Sequence, residues 1–119
     1  KNRLKYIKVY PIWLNKYQTY IHLLRYCDLG LCLHNSSSGL DLPMKVVDMF
    51  GVCIPVISIN YDINKMNQLM SWNNDKTAIN ELIIHNQNGL IFNDSNELSS
   101  QIFLCFQMYK KNPNECFKK

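Results

Sequence analysis

The sequence has no apolar run approaching the roughly 18–20 residues that a membrane-spanning helix requires. Its lysine-dotted start also lacks the apolar stretch of a signal peptide, so the chain reads as soluble. Glycine and proline are scarce, four of each. No G-x-G-x-x-G, P-loop or nucleophile-elbow pattern occurs, and no Ser/His/Asp arrangement or acid pair with a hydrolase's spacing stands out. The five cysteines form no C-x-x-C pair and have no histidine at zinc-ligand spacing. No metal site is expected, and the cysteines read as small buried hydrophobes of a reducing compartment. Acidic residues are missing altogether before Asp28.

What remains is 119 residues, 47% hydrophobic and 18% charged, enough for one packed domain and too little for a two-domain enzyme. High apolar content with a net charge of only +4 excludes disorder. The chain opens on Lys1 with no cap or turn signal ahead of its first apolar run, which suggests a fragment of something longer. Lys1, Arg3, Lys5, Lys8, Lys16 and Arg25 give +6 before Asp28, and the remainder, seven lysines against nine acids, gives −2. That asymmetry fits a solvated edge whose partners lie elsewhere, or a face turned toward anionic lipid or phosphate. Nucleic acid fits poorly, because the lysines are not interleaved with a recognition helix or aromatic platform.

Along the chain, apolar runs alternate with helical periodicity. Ile7–Tyr10 is a short strand candidate closed by Pro11. Tyr17, Tyr20, Ile21 and Leu24 fall on one face of a helix over Lys16–Tyr26. Leu29–Leu33 reads as a buried strand. After a polar loop from His34 to Asp41, Pro43 suits the first turn of a second helix and Gly51 the position just past its end. Ile54–Ile59 is the next strand. From Asn60 to Ala78 the periodicity is lost, and residues 61–79 are expected to be a flexible insertion without visible chemistry. Ile79–His85 suits a short helix and Leu90–Phe92 a last strand. Asp94 and Glu97 resemble a capping box ahead of a helix with the apolar stripe Leu98, Ile102, Cys105, Phe106 and Tyr109. The alternation predicts an α/β fold, a parallel sheet covered by helices on both faces, with ligands at the carboxyl ends of the strands.

That rule selects the loop His34-Asn35-Ser36-Ser37-Ser38-Gly39-Leu40-Asp41, which leaves a buried strand and enters a helix N-terminus. Hydroxyls, a glycine permitting close backbone approach and unpaired helix N–H groups suit a phosphate or a sugar. Asp41, Lys45 and Asp48 share a stripe if the helix begins early enough. Asp48 would then accept hydrogen bonds from vicinal hydroxyls such as those of ribose, and Lys45 would neutralise phosphate. The plainer alternatives stay open: a capping loop, a surface pair between Lys45 and Asp48 worth at most about a kcal/mol, and a hydrogen-bonded loop histidine at His34.

The run CDLGLCLHNSSSGLDLPMKVVDMFGVCIPV, Cys27 to Val56, resembles the signature of the chitobiosyldiphosphodolichol β-mannosyltransferases, and its SSSGLDLPMKVVDMFG block is the distinctive part. PIWL before the first helix and NELIIHNQNGLIFND after the insertion are similar to the flanking segments. The resemblance covers most of residues 7–110 except about 61–79. It implies the carboxyl-terminal, donor-binding part of a GT-B glycosyltransferase, so that residues 1–119 are a single, incomplete nucleotide-sugar-binding domain with a partial Rossmann-like sheet. It further implies transfer of mannose from GDP-mannose, with inversion, to the distal GlcNAc of a dolichyl-diphosphate chitobiose acceptor at the cytosolic face of the endoplasmic reticulum membrane. No tightly bound cofactor is implied. The acceptor-binding domain and the general base would lie outside this chain. Donor contacts carry over to His34, Ser36, Ser37, Ser38, Gly39, Asp41, Met44, Lys45 and Asp48. Retaining relatives of this architecture carry two glutamates with seven residues between them; here Asp48 fills the second position and Leu40 the first, which argues against retention. Another GT-B transferase with a different nucleotide sugar, or a non-catalytic partner-binding module, are the alternatives.

Overall fold

The computed structural model describes residues 7–36, 40–61 and 77–111. The elements are α1 (Tyr17–Leu24), β1 (Gly30–Cys32), α2 (Met44–Gly51), β2 (Val56–Ile59), α3 (Ala78–Leu82), β3 (Gly89–Phe92) and α4 (Ser95–Lys111). The three strands form one parallel sheet in the order β1-β2-β3, with Gly30, Val56 and Gly89 in register at the start and Cys32, Ser58 and Ile91 two residues on. This is the α/β architecture that the alternation predicts.

Strand periodicity divides the sheet into two faces. Val56 and Ile91, with Cys32 beside them, pack against Val46 of α2 and Ile79 and Ile83 around α3, and Tyr61 completes this core. Two successive parallel crossovers in one direction place both connecting helices on the same side, because such crossovers share one hand. Ile57 and Leu90 belong to the opposite face, where they share a cavity of about 570 Å³ with Leu104, Cys105 and Met108 of α4. A second cluster of Leu24, Val52 and Ile54, joined by Tyr20, Ile21 and Met49, fastens α1 to the end of α2.

α2 continues through Gly51 rather than stopping before it, and the residue that turns the chain is Cys53, at φ 62°. Cys53 N–H donates to the Phe50 carbonyl (2.9 Å) and Ile54 N–H to the Met49 carbonyl (3.1 Å). That is the Schellman pattern with Cys53 in its left-handed position, and Ile54 packs back on Met49 as the motif requires. At α4, Asp94 Oδ1 accepts from the N–H groups of Asn96 (2.8 Å) and Glu97 (2.9 Å), as a capping residue should. The return arm differs from a capping box: Glu97 Oε2 accepts from Asn93 N–H, one residue before the cap.

Three expectations are corrected. Ile7–Tyr10 forms no strand: the stretch is irregular, and Ile7, Val9 and Tyr10 are 60–76% exposed. A strand needs a ladder partner, and among the described residues Ile7–Tyr10 pairs with no strand of the sheet. Of the α4 stripe, Leu98, Ile102 and Cys105 are half-buried, whereas Phe106 and Tyr109 are exposed. Only Cys32 behaves as a fully buried hydrophobe; Cys27 and Cys53 are exposed, Cys105 is intermediate, and Cys116 lies outside the described residues. Of the expected insertion at 61–79, residues 62–76 lie likewise outside them, whereas Tyr61 and Thr77 (1% exposed) and Ile79 (0%) are core residues and Ala78 opens α3.

Candidate functional site

β1 delivers the chain into the polar loop at its carboxyl end, and β2 ends beside it at Ile59. Ser36 is buried, and its hydroxyl donates to Asp41 Oδ2 at 2.8 Å, so the two residues close the loop across its width. Tyr61, two residues beyond β2, donates its buried hydroxyl to the Asp41 carbonyl (3.2 Å). Its ring meets the exposed His34 ring edge-on, centroids 6.3 Å apart. Asp41, at the loop's end, is therefore held by a tyrosine just beyond the neighbouring strand. Burial, then the nearby Cys32 and Asp41, push the Tyr61 hydroxyl pKa above its ordinary value, which keeps it a hydrogen-bond donor.

Asp41, Lys45 and Asp48 do not form one stripe. α2 begins at Met44, with Pro43 as its capping residue, so Asp41 stays in the loop. Lys45 and Asp48, one turn apart, face α1 instead. Tyr17 donates to Asp48 Oδ1 at 3.0 Å, and Lys45 Nζ lies 3.8 Å from Asp48 Oδ2 and 4.1 Å from the centre of the Tyr20 ring. The Asp48 side chain is 14% exposed and that of Lys45 65%. Among the described residues the buried Tyr20 hydroxyl meets no group in good hydrogen-bonding geometry, and burial, reinforced by the nearby Asp48 carboxylate, pushes its pKa up to about 12. Met44, the first residue of α2, is exposed. Ser37, Ser38 and Gly39 lie outside the described residues.

The site thus has two parts. One is the loop over the ends of β1 and β2, with His34, Ser36, Asp41 and Tyr61. The other is the Asp48 carboxylate on α2, which accepts from Tyr17 and lies beside Lys45, whose ammonium rests over the Tyr20 ring. Met44 is exposed at the amino end of α2, where the Val46 and Val47 N–H groups donate to the Pro43 carbonyl. Sequence reading missed Tyr61, Tyr17 and Tyr20. Tyr61 fell inside the stretch read as an insertion, although a tyrosine immediately after a buried strand on the ligand side was the available signal. Tyr17 and Tyr20 read from periodicity as the apolar face of α1, and nothing in the sequence reveals the carboxylate opposite.

Comparison with known proteins adds the family. The chain is 42% identical over 109 residues to the human chitobiosyldiphosphodolichol beta-mannosyltransferase, 92% of this chain and 20% of that protein. It is 45% identical over 95 residues to the protein of the same name from Dictyostelium discoideum, 80% of this chain and 16% of that one. It is 41% identical over 109 residues to the Arabidopsis thaliana UDP-glycosyltransferase TURAN, 92% and 20%. The chain spans about one fifth of the length of the curated relatives it matches. No family profile matches it. No solved structure matches it either. Over this stretch the chain is homologous to the chitobiosyldiphosphodolichol β-mannosyltransferases, glycosyltransferases by name.

Proposed function

We propose that this chain, homologous to the chitobiosyldiphosphodolichol β-mannosyltransferases, supplies the donor-binding portion of a GT-B enzyme that transfers mannose from GDP-mannose, with inversion, to the distal GlcNAc of diphosphodolichol-linked chitobiose. The observation that carries the reading is the similarity to the human relative across 92% of this chain, a span that includes the ligand-side loop and α2. The geometry agrees with it. In a parallel sheet the ligand end is the carboxyl end, and here that end presents a serine-bearing loop braced by Asp41 and Tyr61. The diphosphate would lie at the loop and the α2 terminus, with Ser36 to Gly39 as donors and Met44 alongside; Asp48 would hold the ribose, and His34 and Asp41 would border the sugar. Lys45, now beside Asp48 and over the Tyr20 ring, would turn from them to add positive charge. The acceptor domain and the general base would lie outside this chain. The workplace would be the cytosolic face of the endoplasmic reticulum membrane, where the lipid-linked acceptor is held. Among the described residues, no helix is long and apolar enough to cross a membrane.

The Arabidopsis relative's name favours a second reading, a UDP-sugar donor. The test is a chimera in which this chain replaces the homologous 109 residues of the human relative. Its transfer to a chitobiosyl-diphospholipid acceptor is measured with GDP-mannose and with UDP-sugars. Turnover with GDP-mannose alone supports the proposal; turnover with a UDP-sugar replaces it by the second reading. The isolated chain should not turn over with any donor, because in-line displacement needs the acceptor held as well.

A further inference from the structure

Asp48 is one of the more enclosed carboxylates among the described residues, its side chain 14% exposed. Its charge has little solvent to stabilise it, and Lys45, the cation beside it among the described residues, sits at 3.8 Å with a side chain 65% exposed, a loose and screened partner. The firm contact is the Tyr17 hydroxyl, 3.0 Å from Oδ1. A carboxylate has about four acceptor positions. Tyr17 occupies one on Oδ1, fixes the rotation of the group, and leaves Oδ2 on the side of Lys45. Tyr17 is 62% exposed, and its ring neighbour is Tyr20, centroids 6.0 Å apart, so the aromatic contact and the bond to Asp48 together orient it. Lys45, in turn, rests its ammonium over the Tyr20 ring.

We propose that Tyr17 is a positioning residue for nucleotide recognition: by holding Asp48 Oδ1 from α1, it orients the carboxylate so that its remaining lone pairs meet the vicinal hydroxyls of the nucleotide's ribose. This rests on the reading of Asp48 as the ribose acceptor. The arrangement couples α1 to the site through one hydrogen bond and assigns Tyr17 a role in affinity for the sugar-bearing part of the nucleotide, not for its phosphates. A tyrosine that served packing alone would be replaceable by phenylalanine without regard to which nucleotide is bound.

The test uses the chimera, titrated calorimetrically with GDP and with 2′,3′-dideoxy-GDP, for the parent and for Tyr17→Phe, Tyr17→Ala and Asp48→Asn. Tyr17→Phe keeps the ring and removes only the hydroxyl. It should weaken GDP by about three- to tenfold, a fraction of what a hydrogen bond to a charged group carries, and change dideoxy-GDP less than about twofold. Tyr17→Ala should add a fall in melting temperature that Tyr17→Phe does not share. Three outcomes overturn the proposal. If Tyr17→Phe weakens both nucleotides equally, or neither, while Asp48→Asn is selective for GDP, Tyr17 is structural and the ribose reading of Asp48 stands. If Asp48→Asn shows no selectivity, the ribose reading fails and the proposal with it. If the parent binds neither nucleotide, both fail with the donor assignment.

Discussion

Cys53 occupies the left-handed region at φ 62°, where a side chain costs roughly 1 kcal/mol that glycine does not incur. Cys53→Gly should therefore stabilise the chain by about 0.5–1 kcal/mol, read from the denaturation midpoint, after allowance for the glycine's greater freedom when unfolded. Asp48→Asn should weaken GDP-mannose use in the chimera by about 1.5–3 kcal/mol with little change in thermal stability, because the amide oxygen can still accept from Tyr17. Equal losses of activity and stability would make Asp48 a structural residue. Tyr20 carries a pH signature. The folded chain holds its proton more tightly, with a pKa raised from 10.0 to about 12, so the unfolded chain loses its proton first as pH rises. Its contribution is present below pH 10 and is lost between there and about pH 12, and Tyr17 and Tyr61, also raised, act with the same sign. Denaturant unfolding across that window should show falling stability, and Tyr20→Phe should flatten the fall.

Among the elements, β2 and β3 meet most closely at Gly89. A Cβ there would stand 2.7 Å from the Val56 carbonyl oxygen and 3.1 Å from Ile83 Cγ2. The oxygen is backbone and cannot swing aside, so Gly89→Ala should destabilise by about 1–3 kcal/mol in equilibrium unfolding. An unchanged midpoint would mean that the β2–β3 spacing is looser than described. Gly89 was legible in the sequence only as the start of a strand, because which atoms crowd it depends on register. Elements that bury themselves locally were the readable ones: β1 and β2 as short apolar runs, α2 from Pro43 onward, α4 from the Asp94 cap. Ile7–Tyr10 was unreadable as it stands, since strand composition does not supply a ladder partner. The end of α2 misled for a related reason. Gly51 advertises a helix stop, yet the turn falls at Cys53, where tertiary packing of Ile54 on Met49 fixes the exit.

For the molecule as a whole, the parallel topology and the ligand end of the sheet followed from the order of the elements, and the serine-rich loop from its place after β1. How the site is divided did not. Asp41, Lys45 and Asp48 are regularly spaced, but α2 starts too late for Asp41 to join it, and the partners of Asp41 and Asp48 come from β2's exit and from α1, 20 and 31 residues away in sequence. Pairings at that separation depend on the fold, and periodicity carries no trace of them. The central claim, a guanine-linked diphosphate at the loop and the α2 terminus, is tested most directly by calorimetric titration of the chimera with GDP, UDP and GMP. GDP should bind best, GMP should lose affinity with its missing phosphate, and Lys45→Met should narrow the gap between GDP and GMP while leaving the preference for GDP over UDP intact. UDP binding as tightly as GDP would contradict the account.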